Sequence, residues 1–246
     1  MSAPVIAIYS LKGGVGKTTL AVNLAWVAAL SGRRTLLWDL DAQAAATYIL
    51  GHNVGNGSKA EATIRRSLDP AKLIVSTDTE DLNLLPADAS LRDLDVTFRD
   101  LDKKKRLAKV ADDLSTLCDL IVIDCPPGLT DTSEQVLRAS DLVIVPVIPS
   151  PLAQRALATI EEHVAGRKAF DAPLLPVFSM VDRRRSLHRA ALEAAPDWPA
   201  IPMASAFEGM TERRAPLGAF ASPRAPGVQA VAQVWNKAEQ ALSNGK

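Results

Sequence analysis

The stretch PVIAIYSLKGGVGKTTL, residues 4–20, decides the fold. Its first part, PVIAIYS (4–10), is apolar and partly β-branched, as a buried strand is. Gly13, Gly14 and Gly16 follow, and then KTTLAVNLAWVAALSG (17–32), in which Leu20, Leu24, Val27 and Leu30 recur at helical spacing before Gly32 ends the run. A glycine turn between a strand and a helix is a prepared anion site, because backbone N–H groups point inward and the helix N-terminus adds positive potential. Lys17 is placed to reach the β- and γ-phosphates of a nucleotide, and Thr18 to offer its hydroxyl to Mg²⁺. The general pattern G-x-x-x-x-G-K-[ST] is missed at one position, where Leu11 stands for the first glycine. Lys12, five residues before Lys17, is a second lysine that a single phosphate ligand does not explain.

Outward from this stretch, strand-like and helix-like segments alternate to the end of the chain. RTLLWDLD (34–41), LNLLPA (82–87), DLIVIDCPP (119–127), DLVIVPVIP (141–149) and PLLPVFSMV (173–181) are near-continuous apolar runs, the mark of parallel strands covered on both faces. Helical patterns lie between them at 100–117, 132–140, 151–166 and 186–195; within the first, KKKR (103–106) is expected to face water. A loop over 215–227 leads to a last helix at about 228–243. This alternation predicts one domain over 1–246, a doubly wound α/β fold with a mostly parallel sheet and helices on both faces.

The 246 residues are 48% hydrophobic, enough for a large core, and 28 Lys plus Arg balance 28 Asp plus Glu. That total excludes a strongly basic nucleic-acid protein but leaves room for a local patch. Cys118 and Cys125 lie in or beside one predicted strand, where they could hardly bridge, which suits a reducing compartment. There is no basic-then-apolar leader and no run near the roughly 18 apolar residues of a membrane span. A cytoplasmic location is expected.

A phosphate loop needs carboxylates at the C-terminal ends of neighbouring strands. LLWDLDAQ (36–43) offers Asp39 and Asp41, and LIVIDCPPG (120–128) delivers Asp124. With these residues in view, KGGVGKTT (12–19) resembles the deviant phosphate loop of the ParA/MinD family of ATPases. The resemblance implies ATP and Mg²⁺ as ligands, bound by Lys12, Gly13, Gly14, Val15, Gly16, Lys17, Thr18 and Thr19. It implies that Lys12 is the family's signature lysine, which reaches the partner's phosphates in an ATP-bound homodimer, as an arginine finger does. LLWDLDAQ resembles the family's D-x-D-P-Q segment, with Ala42 in place of the proline; Asp41 then matches the carboxylate that orients the attacking water and Asp39 the one nearer the metal. Asp124 matches the acid that holds Mg²⁺ through its water shell, beside Thr18. PVFSMVDRRRSLHR (176–189) resembles the strand, loop and helix start of the family's T-M-x-D-x-R segment, and IPMASAFEG (201–209) its I-P-x…E-A segment near the nucleotide base, which brings in Met180 and Pro202 as nucleotide contacts.

Family members differ in the surface that they bind. The tail GVQAVAQVWNKAEQALSNGK (227–246) has an apolar stripe but only Lys237 as a cation before the terminal Lys246, so it reads as a helix packed on its own domain rather than a MinD-type membrane anchor. Between Val181 and Arg224, seven arginines face five acids, and RRRSLHR (183–189) gathers four of them. Arg183, Arg184, Arg185, Arg189, Arg213 and Arg214 are the expected DNA contacts, to phosphates and without base readout. No helix-turn-helix segment precedes the strand at residue 4, so operator-specific binding is not expected. The resemblance thus implies a nucleoid-associated, slowly hydrolysing ATPase that positions a plasmid, chromosome or protein cargo with an adaptor that stimulates hydrolysis. A membrane-cycling spatial regulator and an ATP-switched assembly scaffold are the alternatives.

Overall fold

The computed structural model describes residues 2–53, 57, 59–101, 104–167 and 169–244. The chain begins with β1 (Val5–Ile8), the glycine loop and α1 (Lys17–Leu30), then β2 (Thr35–Asp39), α2 (Ala45–Ile49) and α3 (Lys59–Arg65). A short β3 (Val75–Ser76) and β4 (Leu82–Leu85) follow, then α4 (Leu94–Leu101) and α5 (Arg106–Leu114). Next come β5 (Leu120–Asp124), α6 (Asp131–Ala139), β6 (Leu142–Val147), α7 (Pro151–Val164), β7 (Leu174–Val181) and α8 (Ser186–Ala194). β8 (Ala200–Pro202), α9 (Gly209–Arg213) and α10 (Pro226–Asn244) complete the chain.

Among the described residues, eight strands form one sheet in the order β3-β4-β2-β5-β1-β6-β7-β8. β3 runs antiparallel to β4, and every other neighbouring pair is parallel. The chain leaves β1 toward β2 on one side and later builds β6, β7 and β8 on the other. The crevice at the C-terminal end of β1 is therefore where strand order reverses, the place at which such sheets bind ligands. Three strand ends meet there: Ile8, Asp124 and Asp39 share one register across β1, β5 and β2.

Side chains alternate across the sheet, and both faces are dry. Ala7, Tyr9, Trp38, Ile121, Ile123 and Val145 pack with residues of α4 to α7, while Ile6, Ile8, Leu37, Val122 and Ile144 pack against α1 and α10. This two-sided burial is why the strands read as continuous apolar runs. The stripe of the last helix is part of the second core: Val231, Val234, Trp235 and Ala238 are buried against the domain. No helix among the described residues is long and apolar enough to cross a membrane.

Two expectations change. The helix expected over 100–117 is two helices, α4 and α5, and Lys103 lies outside the described residues. Lys104 and Lys105 are exposed, but Arg106 is buried. It opens α5 on the face of Val110 and Leu114, four and eight residues on, so the helical period turns it inward. The four-residue run of cations is thus not one solvated face.

Asn23 fastens the phosphate-loop helix to the C-terminal part of the chain. It is buried, donates to the Thr19 carbonyl at 2.7 Å, and accepts from the Leu217 N–H at 2.9 Å. Asn23→Ala strands that buried N–H and should cost about 2 kcal/mol in denaturant unfolding. A loss within about 0.5 kcal/mol, the range of ordinary surface changes, would show that the contact is dispensable.

Candidate functional site

The loop after β1 is held from beneath. Tyr9 is fully buried and donates its hydroxyl to the Gly128 carbonyl at 2.9 Å, and burial pushes its pKa up to about 12. Ser179, on β7, donates to the Val15 carbonyl at 2.8 Å. Gly14 and Gly16 have φ of 71° and 87°, left-handed values that favour glycine. A Cβ on Gly16 would also stand 3.1 Å from the Ser179 hydroxyl oxygen. The rim of the loop, Lys12, Gly13 and Gly14, is exposed, whereas Val15 is buried.

α1 starts with neither a side-chain cap nor an acid in its first turn, so its leading N–H groups remain available to an anion. Lys17 is only 7% exposed and folds back over the loop, its Nζ donating to the Lys12 carbonyl at 3.2 Å. The two lysines are thus divided: one lies inside the phosphate cradle, and the other stands on its rim.

The three carboxylates differ in their surroundings. Asp39 is buried and already accepts three hydrogen bonds, from the Asp41 N–H at 3.2 Å, the Thr47 N–H at 2.9 Å and the Thr47 hydroxyl at 2.7 Å. Burial pushes its pKa up to about 6 against the pull of the Thr47 hydrogen bonds. Asp41 is half-buried and accepts from the Gln43 N–H at 2.9 Å. Asp124 has no exposed surface, and neither of its oxygens has a well-formed hydrogen bond among the described residues. Burial first, and the negative Asp39 second, raise its pKa well above the usual carboxylate range, while the nearby Thr18 hydroxyl and Lys17 relieve part of this.

A carboxylate with open lone pairs beside a threonine at a phosphate-binding helix start suits a hard cation. The Asp124 carboxylate with the Thr18 hydroxyl near it fits Mg²⁺, which keeps several waters and takes few protein ligands besides phosphate. Asp124 and Thr18 have the chemistry to hold it, whereas the lone pairs of Asp39 are largely engaged by Thr47 and Asp41.

Beside the loop lies a mainly apolar cavity of about 380 Å³. Met180 and Pro202 line it, together with Met203, Phe207, Glu208 and Thr211. Met180 has φ 55°, a left-handed value rare for such a residue. A larger cleft of about 800 Å³ lies away from the phosphate loop, between α8 and α10, with Arg183, Arg189 and Lys237 on its walls. Its volume reflects an open groove, and the chemistry concentrates at the loop.

The six arginines are not equivalent. Arg183 and Arg185 are exposed. Arg184 forms a two-pronged pair with Asp182, at 2.9 Å for each contact, and holds that carboxyl at a pKa of about 2. Arg189 braces its own turn by donating to the carbonyls of Arg183 and Arg184 at 3.1 and 3.0 Å. Arg213 lies over the Phe220 ring, and Arg214 over the Tyr48 ring while it donates to two carbonyls. Sequence reasoning missed Ser179, Thr47, Phe207 and Lys237. Ser179 and Phe207 sit inside segments already singled out for Met180 and Pro202, but nothing in the spacing marks Thr47 or Lys237.

The two buried acids make the chain's stability depend on pH. An ordinary aspartate titrates near 3.8, so between about pH 4 and 6 the folded chain keeps a proton on Asp39 that the unfolded chain has released. Stability present at low pH is then lost as pH rises through about 6, and Asp124 extends the loss upward. Asp124→Asn should therefore raise the stability of the nucleotide-free chain at pH 7 and flatten its fall with pH. Urea unfolding from pH 4.5 to 7.5 checks this; curves that stay parallel for the two proteins would show that Asp124 does not carry the strain.

Comparison with known proteins bears on the family and the fold. Residues 3–169 match the family described as an AAA domain. The sporulation initiation inhibitor protein Soj of Bacillus subtilis is 36% identical over 198 residues, which cover 77% of each chain. The chromosome partitioning protein ParA of Caulobacter vibrioides is 30% identical over 195 residues, 74% of this chain and 72% of that one. Among solved structures, the septum site-determining protein MinD of Pyrococcus horikoshii, complexed with Mg-ADP, superposes with a TM-score of 0.76 over 99% of both chains. At 22% identity that likeness shows the fold.

Proposed function

This chain belongs to the ParA/MinD family of partition and positioning ATPases, and on that premise we propose that it is a Mg²⁺-dependent ATPase that dimerises with ATP, binds DNA without sequence preference in that state, and positions a cargo over the nucleoid. The observation that carries this reading is the division of the two lysines. Lys17 is folded into the cradle, where it meets the β- and γ-phosphates of its own nucleotide. Lys12 is exposed on the rim, where a second copy facing the loop brings it to the partner's γ-phosphate and adds positive charge as the phosphoryl group leaves.

The remaining roles follow from burial and partners. The uncapped start of α1 and the Gly13–Gly16 amides bind phosphate oxygens. Thr18 and Asp124 would hold Mg²⁺, which would supply neutralising charge to the phosphates. Asp41, less buried than its two neighbours, orients the attacking water, and Asp39 fixes the loop that carries it. The apolar cavity of Met180, Pro202 and Phe207 takes the base. For DNA, the exposed Arg183 and Arg185, with Arg189 and Lys237 on the adjoining cleft, offer the phosphate contacts, while Arg184, Arg213 and Arg214 have partners within the chain. An adaptor that stimulates hydrolysis completes the cycle.

Lys12→Ala should separate nucleotide binding from dimerisation. The variant keeps ATP affinity within about threefold, because the contacts of Lys17, Thr18 and the loop amides survive, but loses the ATP-dependent dimer in sedimentation and loses hydrolysis with it. A dimer of ordinary strength would make Lys12 a solvated loop residue.

The DNA face has a separate test in a salt titration of binding by the Asp41→Ala chain with ATP. Removing the charges of Arg183 and Lys237 should lower the log–log salt slope by about 0.9 for each lost phosphate contact, equally for unrelated sequences. An unchanged slope would place the DNA contacts elsewhere.

A further inference from the structure

Arg214 occupies an unusual position. It caps α9 with φ 51°, one of five non-glycine residues in the left-handed region among the described residues, with Ala44, Arg66, Asp81 and Met180. A side chain in that region costs backbone energy and persists only where surrounding contacts impose it. The contacts here are plain. The guanidinium lies 4.7 Å from the Tyr48 ring centroid and donates to the Tyr48 carbonyl at 3.2 Å and the His52 carbonyl at 2.9 Å. Tyr48 belongs to α2, and His52 stands at its exit.

The two ends of this link are the two halves of the site. α2 follows directly on the turn of Asp41, Ala42, Gln43 and Ala44, in which the Ala44 N–H donates to the Asp41 carbonyl at 2.8 Å. The segment that ends at Arg214 contributes Met203, Phe207, Glu208 and Thr211 to the cavity assigned to the base. α2 is also fixed at Thr47, which donates to Asp39 and accepts from the Ala87 N–H at 3.0 Å, and its Ala46 and Ile49 are buried in the core shared with α1. Arg214 adds an attachment on the exposed side of α2, tying the helix that follows the Asp41 turn to the end of α9.

We propose that Arg214 is a positioning residue that couples occupancy of the base cavity to the placement of Asp41, so that the chain hydrolyses a triphosphate fast only when a base is attached to it. The proposal rests on the ATPase reading above and assigns Arg214 to the site's interior rather than to DNA. A base that fills the cavity presses on Phe207 and Thr211 and fixes the segment through Arg214. Arg214 then fixes α2, and the water-orienting carboxylate is held in place. A bare triphosphate satisfies the cradle but leaves this linkage slack.

The experiment compares single-turnover phosphate release from ATP and from inorganic tripolyphosphate in the wild type, Arg214→Gln and Tyr48→Leu. The wild type should favour ATP in kcat as well as in KM. Both variants should lower the ratio of the two kcat values by at least about tenfold while KM for ATP changes less than about threefold. Arg214→Lys, which keeps a cation but not the planar stack, should recover part of the ratio. Circular dichroism melting identifies any variant that fails to fold, and the other then carries the test. Equal kcat values for the two substrates in the wild type, or a ratio unchanged in the variants although both rates fall, would overturn the coupling and leave Arg214 a packing residue. A wild-type chain that hydrolyses no ATP, alone or with DNA, would overturn the ATPase reading itself and this proposal with it.

Discussion

Two carboxylates stand side by side at the ends of adjacent parallel strands, Asp39 on β2 and Asp124 on β5, both wholly out of water. Like charges at such a spacing, without solvent, are held only by a structure that over-determines them. Asp39 is satisfied by Thr47 and by the turn after its own strand, whereas Asp124 is left with open lone pairs. Much of the fold serves this asymmetry. The strand order puts β2, β5 and β1 next to one another, the loop after β1 brings Thr18 and Lys17 toward the acid, and the helices on both faces keep water away. On the proposed reading, a cation held by Asp124 would relieve the strain, and ligand binding would complete the electrostatics of the fold.

The features legible in the sequence are those whose cause is local. β1, β5 and β6 are unmistakable because burial on both faces leaves no room for polar residues. The loop is legible because tight turns and bare amides require glycine at set positions. β8 is only three residues long and carries no periodicity, and the break between α4 and α5 falls within a stretch whose apolar spacing runs on as if unbroken. Met180 and Pro202 became visible through resemblance, since neither spacing nor chemistry marks a methionine or a proline as a wall of a cavity.

The arginines show the limit of reading charge from a string of letters. Seven of them between Val181 and Arg224 look like one surface. In three dimensions Arg184 is neutralised two residues away by Asp182, while Arg214 reaches back more than 160 positions to His52. The first partner lies in plain sight in the sequence, and the second depends on the whole sheet being built. Lys237 enters the cleft from α10 for the same reason, since only folding brings α10 beside α8. A patch counted along the chain is therefore smaller than its letters suggest on one side and larger on the other.

Within the few residues at the end of β7, Ser179 pins the phosphate loop, Met180 lines the cavity beside it, and Arg183 reaches the outer cleft. With so little chain between them, each function has a fixed place in the count. Adding or deleting one residue there would turn Met180 out of its cavity or pull Ser179 from the loop. Divergence in what this surface recognises is thus confined to exchanging side chains at constant length. Among relatives that keep the nucleotide site, this short stretch should change its spelling freely and its length never, while the surface loops absorb the insertions and deletions of their history.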